Sequence, residues 1–468
     1  MRLSNMNKFF AVMIVMLTGM SVRLYSQNRT PIKGAASEIQ LTPYKTTMLA
    51  DGKDIAKVEI KIIDTDGKNV ANENRTIDFH VKGDAHIISI SGTAEKTLYK
   101  SDTMWTAEVL GSCVLLLQSG KTKSVVKFAA KSKGLWDGST EIRTVFPSLA
   151  HKVTNRKYVP IKVADKIIGA DISFLPELEA KGIKFSDNGV EKDVLEILKD
   201  HGFNYIRLRI FNEPANVKGY SPKEGFCDLE HTKQMAKRVK AAGMKLLLDF
   251  HYSDYWADPG QQFIPASWVG KSFNDLKGSV YNYTSTVIKE LKDQGTLPDM
   301  VQIGNEINHG ILWPIGGIEN MDSLSQLLYE GLKAVKDVNV KTPTMLHIAL
   351  GGQNSESRFF LDNMKERNVP FDIIGLSYYP KWHGTLADLK NNMADIANRY
   401  PQQVAVTEYT QLKKEVNDIA FTVPKSKGVG TFIWEPLSTW EMIFDKNGRT
   451  NEFINIYPEI SKKYVRKK

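Results

Sequence analysis

Glu306 and Glu408 are the two side chains of this sequence best placed to do chemistry. Glu306 lies in Val301-Gln-Ile-Gly-Asn-Glu-Ile-Asn-His-Gly-Ile-Leu-Trp-Pro314, where an apolar run stops at Gly304 and gives way to Asn305-Glu306 and then to aromatic and turn residues. Glu408 closes a second apolar run that begins at Val404. A parallel α/β fold builds such strand ends, beside irregular loops, where side chains must meet a ligand. Two carboxylates on separate strands can divide the work: one, raised in pKa, protonates a leaving oxygen while the other stays ionised and attacks carbon. Asn-Glu alone is a common surface dipeptide, so the assignment depends on the elements that carry it.

Those elements form a pattern. From about residue 166 the chain repeats apolar strand, loop and amphipathic helix. The expected strands are Ile167 to Asp171, Asn204 to Ile210, Lys245 to His251, Met300 to Asn305, Met345 to Leu350, Ile373 to Ser377, Val404 to Glu408 and Val429 to Trp434. Helices are expected at Val190 to Lys199, Leu229 to Ala242, Asp275 to Asp293, Ser323 to Val338 and Leu386 to Arg399. Such alternation over about 300 residues predicts a (β/α)8 barrel. A doubly wound open sheet is the alternative, but no Gly-rich phosphate loop follows the first strand.

Strand alternation then sorts the side chains. Ile206, Leu208 and Ile210 share one face, and Arg207 and Arg209 take the other, pointing into the barrel. Unpaired buried charge costs several kcal/mol per ion, so these guanidiniums need carboxylate partners. The same split puts Asp249 and His251 inside with Leu247. An ion-pair layer that merely fills the barrel is compatible with this reading. Polar residues also gather at the strand ends: Asp171, Asn305, Ser377, Tyr378, Tyr379 and Trp434 join the arginines and acids. Acids, an arginine and aromatic faces suit sugar chemistry, in which rings stack and hydroxyls take polar hydrogen bonds.

The rest of the chain frames this unit. At 468 residues two domains are expected. Residues 1–26 read as a secretory signal: Arg2 and Lys8, then the apolar run Phe9 to Met20, then a small-residue exit near Ser26. Export to the periplasm or the extracellular space is expected, with no integral membrane segment after cleavage. Residues 37–131 show short alternating segments with turns at Asp51-Gly52 and Asp66-Gly67, which predicts a small all-β sandwich. Residues 132–165, with Gly134, Gly138, Pro147 and Pro160, read as a linker, and residues 166–462 as the barrel. The net charge of +9 is dispersed over Lys-rich helix surfaces, which argues against a nucleic-acid binder. Cys113 and Cys227 fall in different domains, so neither a disulfide framework nor a cysteine metal site is expected.

Two resemblances sharpen these expectations. Leu49-Ala-Asp-Gly-Lys-Asp54, Asp64-Thr-Asp-Gly-Lys68 and Leu117-Gln-Ser-Gly-Lys121 resemble the immunoglobulin-like accessory domains of secreted bacterial glycosidases. Asp249-Phe-His-Tyr-Ser-Asp-Tyr-Trp-Ala-Asp-Pro259, Pro265-Ala-Ser-Trp268, Tyr281-Asn-Tyr-Thr284, Ile303-Gly-Asn-Glu-Ile307 and Gly310-Ile-Leu-Trp-Pro314 resemble glycoside hydrolase family 53, the endo-β-1,4-galactanases. Ile206-Arg-Leu-Arg-Ile-Phe211, Ser377-Tyr-Tyr-Pro380 and Trp434-Glu-Pro436 add to it. That resemblance implies Glu306 as acid/base, Asn305 as its neighbour on the sugar 2-hydroxyl, and Glu408 as nucleophile. It places Asp249, His251, Asp254, Trp256, Trp313, Tyr379 and Trp434 around the substrate, with Arg207 or Arg209 holding Glu408 ionised.

The chain also departs from the family pattern. Ala349-Leu-Gly-Gly-Gln-Asn354 stands where the fifth strand usually ends in Asp with a nearby Trp, and Tyr409 stands where Thr is usual. The segment Tyr409 to Gly428 is short and lacks the excursion that often binds calcium, so no metal is expected. The implied activity is retaining, endo-acting cleavage of β-1,4-galactan by a monomer that needs no cofactor. The competing readings are the same chemistry on another β-linked glycan and a surface glycan-binding protein without turnover.

Overall fold

A computed structural model of the chain describes residues 34–465 apart from 66, 147–149, 350 and 439–441. The signal expected over residues 1–26 lies outside the described residues. Among the described residues two compact units emerge, one containing residues 34–43, 48–144 and 257–262, the other containing residues 44–47, 145–256 and 263–465.

The first unit is all β and sandwich-like. Its strands are β1 (Glu38–Pro43), β2 (Thr47–Leu49), β3 (Ile55–Ile63), β4 (Asn74–Lys82), β5 (Ala85–Lys100), β6 (Met104–Ser119), β7 (Ser124–Lys131) and β8 (Gly138–Val145). Strand β6 organises the rest. Its later half, Ser112 to Gln118, pairs with β3, its earlier half, Met104 to Leu110, with β4, and β5 runs along it. Burial alternates through all of β6, so its odd-numbered side chains from Trp105 to Leu117 meet Ile60, Ile77, Phe79 and Phe128 in one apolar core. The strand runs unbroken through Gly111, whose φ of +69° suits glycine. Gly138–Val145, read above as linker, is an edge-to-edge partner of β7.

The second unit is a closed parallel barrel of eight strands, β9 (Ile167–Asp171), β10 (Tyr205–Ile210), β11 (Lys245–Phe250), β12 (Met300–Ile303), β13 (Thr344–Ile348), β14 (Ile373–Tyr378), β15 (Gln403–Tyr409) and β16 (Gly428–Trp434). The amphipathic stretches form helices Leu229–Ala241, Phe273–Asp293, Met321–Val338 and Leu386–Arg399. Three of these starts carry side-chain caps, Asp228 on His231 N, Ser272 on Asp275 N, and a reciprocal box between Thr385 and Asp388. The helix expected from Val190 begins later, at Val194, capped by Asp193. Ser186–Asp187 and Val190–Glu191 pair instead as a short hairpin, which leaves Val190 exposed. Helices Asn354–Glu366 and Lys413–Phe421 are additional to those expected. No helix among the described residues is long and apolar enough to cross a membrane.

Inside the barrel, composition changes along the strands. One end is closed by Ile167, Tyr205, Leu247, Met300, Met345, Ile373, Ala405, Val429 and Phe432. Two residues further along the same inward face come Arg207 after Tyr205, Asp249 after Leu247, Gln302 after Met300 and His347 after Met345. The apolar floor supplies the burial that supports the fold, and the polar layer above it is thereby held out of bulk water. Glycines let this layer close: a Cβ on Gly430 (φ +135°) would lie 2.0 Å from Ile167 O, at the register shift between β15 and β16. Gly430→Ala is therefore expected to destabilise the protein by about 2–4 kcal/mol. Denaturant unfolding of that variant checks this, and an unchanged midpoint would contradict the tight strand approach.

Candidate active site

The strand ends meet in one buried ionic cluster, and Arg207 is its centre. Strand parity points its guanidinium inward, and each of its five N–H groups finds an acceptor. Nε donates to Gln302 Oε1 at 3.2 Å, Nη1 lies 2.9 Å from Asp171 Oδ2 and 2.8 Å from Glu408 Oε1, and Nη2 lies 2.8 Å from both Asp249 Oδ2 and Asn305 Oδ1. Five strands are thus tied to one planar group: β9, β10, β11, β12 and β15.

Arg209, two residues on, serves a separate carboxylate. It pairs closely with Glu435, just past β16, and its guanidinium lies 4.4 Å from the ring centres of both Phe174 and Trp256. Glu435 also accepts from Phe174 N at 3.0 Å. Burial, with Asp171 beside it, pushes the Glu435 carboxyl well above the ordinary range against the pull of Arg209. Of the two arginines, Arg207 is the one that touches Glu408.

Glu408 reaches the cluster through an irregularity. Ala405 and Thr407 take the inward face of β15; Thr407 Oγ1 lies 3.4 Å from Met345 Sδ. Register shifts between β14 and β15 and between β15 and β16 then bring the next residue, Glu408, inward as well. Tyr379 Oη donates to Glu408 Oε2 at 3.2 Å. Burial pushes the Glu408 carboxyl up to about 7; Arg207 lowers it, and the neighbouring Asp249 and Asp171 raise it again. Arg207 therefore does not keep Glu408 in the ordinary carboxylate range, because burial outweighs it and two further carboxylates share it. Asp249 differs: burial raises it, but Arg207 and His251 prevail and its pKa ends lowered. His251, 3.0 Å from Asp249, is lowered by burial.

Glu306 approaches from β12. Gly304 (φ +82°) turns the chain off the strand, and Glu306 itself sits in the left-handed region at φ 49°, ψ 50°. That conformation costs a non-glycine residue on the order of 1–3 kcal/mol. It aims the carboxyl across the barrel mouth, where Ser377 Oγ is 2.5 Å from Oε1. Ser377 is the register partner of Glu408 on the adjacent strand, so the two glutamates converge from opposite sides of β14. Glu435 (φ 41°) and Tyr252 (φ 50°) carry the same strained backbone at their strand ends.

The remaining expected residues divide. Trp256 and Trp434 meet edge to face at 6.3 Å, and His251 packs 6.0 Å from Trp256, which makes an aromatic wall beside the arginines. Trp313, half-buried, hangs on the loop after Glu306 with its Nε1 donating to His309 O at 2.9 Å. Asp254 has a different occupation: its carboxylate accepts from Glu213 N, Asn216 Nδ2 and Ala266 N, bracing the surrounding loops. Gln302, His347 and Glu435 were not singled out from sequence, although inward parity in Met300-Val-Gln302 and Met345-Leu-His347 marks the first two. Glu435 has no such signal, because it lies beyond its strand.

A parallel barrel whose strand ends hold two convergent carboxylates, an arginine clamp and tryptophans defines a glycoside hydrolase. Residues 167–418 match the family model of Glycosyl hydrolase family 53, and the chain belongs to that family. It is 36% identical over 265 residues to an endo-β-1,4-galactanase of Bacillus subtilis, covering 56% of this chain and 61% of that protein. It is 34% identical over 306 residues to a probable arabinogalactan endo-β-1,4-galactanase A of Aspergillus terreus, covering 58% and 85%. The solved family 53 catalytic domain of Ignisphaera aggregans aligns with a TM-score of 0.59 at 33% identity, over 66% of this chain and 99% of that domain. Residues 39–141 match the glycoside hydrolase family 2 C-terminal domain 5.

Because Arg207 satisfies five partners at once, Arg207→Lys leaves buried carboxylates without donors. Thermal or denaturant unfolding should show a loss of roughly 3–5 kcal/mol. Stability within experimental error of the parent would contradict the clamp.

Proposed function

We propose that the protein is an exported endo-β-1,4-galactanase acting by retaining double displacement, with Glu408 as nucleophile and Glu306 as acid/base. The observation that carries this reading is the convergence of the two glutamates on Ser377, Glu306 through its hydrogen bond and Glu408 as register partner, with Glu408 beside Arg207. In the first step a Glu408 oxygen forms a bond to the anomeric carbon, the glycosidic C–O bond breaks, and the Glu306 proton passes to the departing oxygen. In the second step water attacks the same carbon, Glu306 takes its proton, and Glu408 leaves. Retention by this route requires carboxyls roughly 5–5.5 Å apart. Arg207 and Tyr379 both donate to Glu408, so they stabilise its charge when it leaves the sugar. Trp256, Trp313 and Trp434 supply faces on which sugar rings can stack. The galactanase names of the relatives support galactan as substrate, and Met1 to Gln27 supports export.

Two measurements test this. Reducing-sugar release and product sizing on β-1,4-galactan should show oligosaccharides from the parent, and a loss of at least about 10³-fold in both Glu306→Ala and Glu408→Ala. Turnover of another β-glycan with silence on galactan would move the substrate, and full activity in either variant would overturn the residue roles. The pH profile follows from Glu408. Its pKa is raised, and only the ionised form attacks, so kcat/KM should fall as pH drops through about 7. A plateau continuing down to about pH 4 would contradict a raised nucleophile.

A further inference from the structure

Behind Glu306 runs a buried chain of side chains that the two steps above do not use. Ser377 Oγ is 2.5 Å from Glu306 Oε1 and 2.9 Å from His347 Nε2, and His347 Nδ1 is 2.9 Å from Asn305 Oδ1. Ser377 and His347 are fully buried.

Counting hydrogens favours one direction for each bond. Arg207 has only donors and approaches Asn305 Oδ1 at 2.8 Å, so that atom is the amide oxygen and accepts. His347 Nδ1, facing the same oxygen, must then carry a hydrogen. Burial, and after it Arg207, lowers the His347 pKa well below the ordinary value, so the ring is neutral and Nε2 is bare. Nε2 takes the one hydroxyl hydrogen of Ser377, which leaves Ser377 only lone pairs toward Glu306. The short contact between them is completed by a proton on Glu306.

The opposite arrangement is poorer. An ionised Glu306 accepting from Ser377 needs His347 to donate through Nε2, which turns a bare Nδ1 toward the Asn305 oxygen. Gln302 Nε2 lies 3.1 Å from that nitrogen, but it also faces Asp249 Oδ1 at 2.6 Å, Gly304 O at 3.1 Å and Asn305 Oδ1 at 3.2 Å, and it has two hydrogens. One buried hydrogen bond is then left unmade, which penalises the ionised form. The other ionisable groups around the chain are Tyr379, which faces both Glu306 and Glu408, and, around His347, Arg207, Asp249, His251 and His383.

We propose that Ser377 and His347 are positioning residues, a relay anchored on Asn305 that holds Glu306 protonated until its O–H turns from Ser377 to the leaving oxygen and gives up the proton. The proposal rests on the assignment of Glu306 as acid/base. When Glu306 has given up its proton, the Ser377 hydroxyl can turn to donate to it, so the relay also prepares the carboxylate to accept a proton from water.

The direct test is ¹⁵N NMR of the histidine-labelled full chain. His347 is expected as a neutral ring protonated on Nδ1 and bare on Nε2; a ring protonated on Nε2 would overturn the relay whatever the activity. On galactan, Ser377→Ala should lower kcat about tenfold with little change in KM, and shift the alkaline limb of kcat to lower pH by roughly half to one unit. Ser377→Thr, which keeps the hydroxyl, should recover most of both. If Glu306→Ala is inactive while Ser377→Ala keeps a normal alkaline limb, the relay is wrong and the acid/base assignment stands. If Glu306→Ala remains active, the assignment fails and the relay with it.

Discussion

The buried guanidinium of Arg207 is the interaction on which the rest of the site depends. Burying an ion costs several kcal/mol, and the cost is offset only when every donor is matched. Here the match is complete: Gln302, Asp171, Glu408, Asp249 and Asn305 each take one N–H. The consequence reaches both glutamates. Burial raises Glu408 to about 7, and Arg207, shared with Asp249 and Asp171, offsets only part of that rise. Through Asn305 the same guanidinium orients the amide that sets the His347 tautomer, and so the hydrogen bond at Glu306. Under the proposed roles, one side chain thus tunes both the attacking group and the proton donor.

The fold supplies what this cluster needs. Apolar residues from every strand close one end of the barrel, and the inward polar residues follow them two positions later, so the ionic layer rests on a dry floor. At the open end the backbone is irregular: Glu306, Glu435 and Tyr252 have positive φ, and β15 changes register before Glu408. These irregularities aim side chains that regular strand geometry would direct elsewhere. Their strain is sustained by the packed barrel below and by the hydrogen bonds that each carboxylate gains.

Much of this was legible in the residues. Strand alternation in Tyr205-Ile-Arg-Leu-Arg-Ile210 and Leu247-Leu-Asp249 placed Arg207, Arg209 and Asp249 inside, because burial forces a consistent face. The barrel follows from eight apolar runs whose limits agree with the strands to within a residue or two. What was not legible depends on breaks in that alternation. Parity could not choose which arginine meets Glu408, since Arg207 and Arg209 share one face of the same strand. Glu435 lies past its strand, in a backbone conformation that no local pattern announces. Asp254 looks like a ligand in a motif, yet its carboxylate is engaged by three loop donors.

The most direct test of the paired-carboxylate account is the anomeric configuration of the first product, followed by ¹H NMR in the first minutes of galacto-oligosaccharide cleavage, before mutarotation. Double displacement by Glu408 with Glu306 as acid/base predicts the β-anomer first, with the α-anomer growing in only as solution equilibrium is reached. Initial appearance of the α-anomer would mean single displacement by water and would contradict the assignment of Glu408 as nucleophile.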